Sequence, residues 1–119
     1  MILDTILSPY LAKDYYKLYY YIKDKSLSVN TEDISTVLLA VACIEVMDYN
    51  KSKELFEMIR PDSPIYSVAC WYLALLHLRT KDYQKTQEYL KIASEENLEY
   101  GEKARSLLDT VAILIKNPK

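Results

Sequence analysis

A chain of 119 residues with one glycine, well below the usual share of about 7%, has little material for strands, tight hairpins or the glycine-rich loops that cradle phosphates. A formal charge of −2 with 27% charged residues gives no electrostatic reason to seek polyphosphate partners. One histidine and two cysteines without Cys-x-x-Cys spacing cannot assemble a zinc site of ordinary pattern. The expectation is therefore one all-α domain spanning residues 1–119, with no cofactor and no metal.

In chain order, residues 1–7 form a short apolar lead interrupted by Asp4 and lacking the basic start of a signal peptide, and no apolar run is long enough to cross a bilayer. A cytoplasmic location is expected from this. Ser8-Pro9 reads as a helix start, serine as N-cap and proline in the first turn. Leu11, Tyr15, Leu18, Tyr19 and Ile22 then recur on one face of a helix running to about residue 24. Residues 25–31 read as loop, with Asn30 and Asp33 suggesting a cap.

A second helix is expected over about 32–47. It contains the run TVLLAVACI, apolar on nearly every side, so it calls for neighbours all round. A third, over about 50–60, is one-sided, with Leu55, Phe56 and Ile59 inward and Lys51, Lys53, Glu54 and Glu57 elsewhere. Pro61-Asp62-Ser63-Pro64 ends that unit. The alternation of an apolar and an amphipathic helix returns at about 66–79 and 83–94. After the loop Glu95-Glu96-Asn97, a last helix covers about 99–116, with Ala104, Leu107, Leu108 and Val111 inward and Glu102, Lys103, Arg105 and Asp109 outward. Asn117-Pro118 stops it.

Asp14-Tyr15, Asp48-Tyr49 and Asp82-Tyr83 stand 34 residues apart, and a fixed period in this range marks a helical repeat array. The neighbours match too: Leu39-Ala40 against Leu73-Ala74, Phe56 against Leu90, Ile59 against Ala93, Tyr66 against Tyr100. With Trp71, and with Pro64 ending a unit, this pattern resembles the tetratricopeptide repeat. Met47 and Lys81 replace that family's turn glycine, Ser52 and Thr86 replace its small residue after the turn, and Leu98 replaces its final proline. The resemblance implies a right-handed helical-hairpin array of about six helices: a leading arm and helix (1–31), repeats at 32–65 and 66–99, and a capping helix (100–119).

It also implies protein binding, as a scaffold or adaptor, in a groove lined by the first helix of each repeat. Helical spacing places Val37, Val41, Ile44 and Glu45 with Trp71, Leu75, Leu78 and Arg79 on that face, an apolar groove with a charged lip suited to a helix or an extended peptide. A small secretion chaperone that shields an export substrate is the alternative. The wording of residues 71–93 and 99–109 is similar to C-terminal repeat units of bacterial cell-envelope proteins, which implies a bacterial origin and, as an alternative location, a periplasmic or envelope segment of a membrane-anchored protein.

Catalysis is not expected. His77 lies in a helix otherwise of leucine, alanine and tyrosine, where a packed role is favoured over service to a nucleophile, and Cys43 and Cys70 read as small hydrophobes in apolar runs. Six of the twelve tyrosines fall at Tyr10, Tyr15, Tyr16, Tyr19, Tyr20 and Tyr21, interleaved with Lys13, Lys17 and Lys23. That interleaving can stack single-stranded bases. The inward use of Tyr15 and Tyr19 and the acidic balance argue against nucleic acid and leave Tyr16 and Tyr20 as outward interface tyrosines. At the other end VAILI, residues 111–115, spreads over more than a helical turn, so some of Ile113, Leu114 and Ile115 should face outward and invite self-association, a homodimer being the simplest closed form.

Overall fold

The computed structural model describes residues 31–95 and 99–116. The expected leading arm and helix, including Tyr16 and Tyr20, lie outside them. Among the described residues every regular element is a helix: α1 (Thr31–Glu45), α2 (Tyr49–Glu57), α3 (Tyr66–Arg79), α4 (Tyr83–Ser94) and α5 (Glu99–Lys116). Two ends fall short of expectation. α1 stops at Glu45 because Met47 turns left-handed, and α2 at Glu57 because Arg60 precedes Pro61, whose ring disfavours helical backbone in the residue before it.

Two turns built alike join α1 to α2 and α3 to α4. In the first, Met47 N–H donates to Ile44 O (3.0 Å) and Asp48 N–H to Cys43 O (2.8 Å); in the second, Lys81 N–H donates to Leu78 O (3.0 Å) and Asp82 N–H to His77 O (2.9 Å). This is a Schellman closure, and it requires a left-handed residue after the helix. Met47 and Lys81 supply it, each at φ 63°. The aspartate that follows is the next helix's N-cap, Asp48 accepting from Lys51 N–H at 3.3 Å and Asp82 from Lys85 N–H at 3.2 Å.

Packing runs mainly between helices adjacent in sequence, with α5 also reaching α3. α3 is the centre: every side chain from Val68 to Leu78 is buried. Phe56 of α2 stacks on Tyr72 of α3 at 5.1 Å between centroids, and Tyr100 of α5 meets both Trp71 and Tyr72 at 6.2 Å. Close approach depends on small residues. Ala40 and Ala74 are fully buried, and the Ser52 hydroxyl of α2 donates to Ala40 O of α1 at 2.7 Å. The expectation that α1 is covered all round is corrected for its outer face, since Leu39 is 54% exposed. α3 lies between α2 and α4, whereas α2 is the main described neighbour of α1.

Candidate interaction surface

The eight residues expected to line a groove divide sharply by exposure. Val37, Val41, Ile44, Trp71, Leu75 and Leu78 are all buried, whereas Glu45 is exposed and Arg79 half-buried. The apolar members are thus part of the core of this chain, and of the two charged members Glu45 is the one in solvent. Burial of Trp71 follows from its place on α3, where Tyr100 of α5 packs edge-on to its indole. Arg79 is held in position by Tyr49 of α2, whose ring lies 3.7 Å beneath the guanidinium carbon, a separation at which cation–π attraction fixes the fork. Glu45 and Arg79 are also one period apart, and the next position in the series is Ile113 of α5, 61% exposed. The three positions share one register of the 34-residue period, and Ile113 is also one of the outward residues expected in the VAILI run.

The C-terminal candidates separate as the helical wheel demands. Val111 is buried, Leu114 half-buried against the core, and Ile113 and Ile115 are exposed at 61% and 38%. The outward residues Glu102, Arg105 and Asp109 are solvated, and Arg105 also donates to Ser94 O at 2.6 Å, closing the end of α4.

The reactive groups are absorbed by packing. His77 is 8% exposed and stacked on Tyr89 of α4 at 5.6 Å, with Nδ1 3.9 Å from the Asp82 carboxylate. Its pKa lies below the ordinary imidazole value, first because burial disfavours the charged ring, then because Lys53 repels it, with Asp82 opposing. Burial likewise pushes the Cys70 thiol up to about 11, although a hydrogen bond with Tyr66 pulls the other way. Cys43 and Cys70 are both free thiols. No group of three or more His, Cys, Asp or Glu among the described residues is placed to hold a metal ion, and no helix among them is long and apolar enough to cross a membrane.

Comparison with protein-family models, with curated proteins and with solved structures finds no match to this chain.

Proposed function

We propose that the chain is a tetratricopeptide-like array and acts as a protein–protein interaction module, a scaffold or adaptor without catalysis of its own. The observation that carries this reading is the duplicated hairpin. α1–α2 and α3–α4 share a 34-residue register, one Schellman closure and one aspartate cap, and stacked copies of one hairpin build an extended surface suited to a polypeptide ligand. The packed states of His77 and of Cys70, whose thiol stays protonated near neutrality, support binding over nucleophilic chemistry.

The contact edge in this reading runs through the exposed Glu45 and Ile113, an acid and an apolar side chain that share one register of the 34-residue period. A peptide running along it would need a cation opposite Glu45 and an apolar anchor at Ile113. Because Val37, Val41, Ile44, Trp71, Leu75 and Leu78 are core residues here, they support this edge rather than touch the ligand.

The test compares capture by the wild type with capture by Glu45→Lys and Ile113→Asp, two changes at exposed sites that spare the core. Proteins retained by the wild type should be lost from both variants while helical content and thermal midpoint hold. Retention of every wild-type partner by both variants would refute the assignment.

A further inference from the structure

His77 stands where three helices meet. Its ring, on α3, lies flat on Tyr89 of α4 and is almost wholly covered, and its carbonyl accepts the Asp82 N–H that closes the second turn. α2 borders it from the other side. Along α2, Tyr49, Lys53 and Phe56 follow at i, i+4 and i+7 and so share one stripe. The two aromatic members seat α2 on α3, Tyr49 beneath Arg79 and Phe56 on Tyr72, and the half-buried Lys53 stands between them. The charges that act on the imidazole are Lys53 and Glu57 from α2, Asp82 from the turn and Lys85 from α4. Tyr89 adds none near neutrality, because burial raises its pKa further above 10.

The two ring nitrogens are unequally provided for. Nδ1 has the Asp82 carboxylate at 3.9 Å, outside hydrogen-bond reach yet near enough to favour a positive ring. Nε2 is buried and has no hydrogen-bond partner among the described residues. In a neutral imidazole that nitrogen can be a bare acceptor; in a protonated one it must carry an N–H, a buried donor with nothing to receive it. The new charge also confronts Lys53, at the middle of the α2–α3 contact. Packing decides where the penalty is relieved. α3 is tied to α4 by the tight turn and packs on it far more extensively than on α2, so α2 is the weaker wall around the ring.

We propose that His77 is a proton-sensitive joint between the two hairpins: its neutral ring lets α2 sit on α3, and its protonation unseats α2 and frees α1–α2 from α3–α4. Acid thereby alters the alignment of the first hairpin with the second. The lowered pKa of the covered ring sets the direction. With α2 unseated the ring regains its ordinary value of 6.5, so opening grows as pH falls below 6.5 and levels off at the lower pKa of the closed joint.

The test needs no ligand, so its failure is distinct from failure of the interaction reading. His77 is the only histidine, and its ring signals in an NMR titration of the full chain are therefore unambiguous. Exchange protection factors, which remove the intrinsic pH dependence of exchange, are followed in parallel from about pH 7.5 to about pH 5. Amides of Lys53 to Phe56 should lose protection by up to about tenfold per pH unit below 6.5, while those of Leu107 and Val111 in α5 hold. His77→Gln should remove the pH dependence at α2. Lys53→Gln should raise the ring's titration midpoint and shrink the loss of protection at α2, and Asp82→Asn, which keeps a capping side chain, should lower the midpoint and enlarge the loss. A ring that titrates at 6.5 or above, an equal loss at Leu107 and Val111, or an unchanged response in His77→Gln would each overturn the proposal. If His77→Gln folds poorly, the other two variants decide, since Lys53 and Asp82 both reach solvent; absence of their opposite shifts overturns it.

Discussion

The left-handed turn residues give the sharpest test of the local reasoning. Lys81 stands at φ 63° with its side chain in solvent, and its N–H donates to Leu78 O, a bond that any residue but proline retains. A non-glycine residue in this region carries about 1–2 kcal/mol of steric cost. Glycine removes that cost but gives back roughly 0.5–1 kcal/mol, because its unfolded chain has more freedom to lose. Lys81→Gly should therefore stabilise by about 0.5–1 kcal/mol. With a urea slope of about 2 kcal/mol/M, the midpoint should rise by about 0.25–0.5 M at unchanged slope. Lys81→Ala, which keeps the Cβ, should stay within about 0.5 kcal/mol of the wild type, and Lys81→Val should destabilise, since a branched Cβ fits this region worst. Urea titration followed by circular dichroism at 222 nm checks all three. A glycine variant no more stable than the alanine variant would show that backbone strain at this turn is not the controlling term.

Three further outcomes follow from packing and charge. Ala74 is fully buried, so Ala74→Leu should overpack α3 and cost about 1–3 kcal/mol in the same titration; unchanged stability would place the helix contact elsewhere. The His77 pKa is lowered from its ordinary value of 6.5, so the unfolded chain takes up a proton that the folded chain resists. Stability should accordingly fall as pH drops below 6.5 toward the lower folded pKa and then level off, and His77→Gln should flatten that part of the profile. Exposed Ile113 and Ile115 should support concentration-dependent dimerisation in light scattering, abolished by Ile113→Lys/Ile115→Lys; a wild type that stays monomeric at high concentration removes that idea.

Helix positions were legible because the residues that end helices here are strong local signals. The Asp-Tyr starts, Pro61 and the apolar runs mark α3, α4 and α5 closely. The ends of α1 and α2 were less so, because Met47 and Arg60 carry no obvious stop of their own: one ends its helix by adopting a left-handed backbone, the other by preceding a proline. The candidate surface was legible only in part. Spacing places Trp71, Leu75 and Val41 on one face, but whether a face is open depends on what packs over it, and the contact of Tyr100 with Trp71 joins residues too far apart in sequence for helical periodicity to relate. The exposure of Leu39 has the same origin. Its wording matches Leu73, and only the neighbours differ.

Stacking that runs from each helix to the next also governs how the molecule comes apart. Contacts that run mainly between sequence neighbours let a helix open locally from the native state at less than the cost of the concerted transition, so native-state opening is graded along the described residues. α3, enclosed by α2, α4 and α5, is the last part to open, and α1, with Leu39 in solvent, opens at lower cost. Amide protection should therefore fall from Trp71 outward toward Thr31. A urea transition read from Trp71, the single tryptophan, should by contrast coincide with the loss of helix, because global probes report the concerted step and exchange reports the local one.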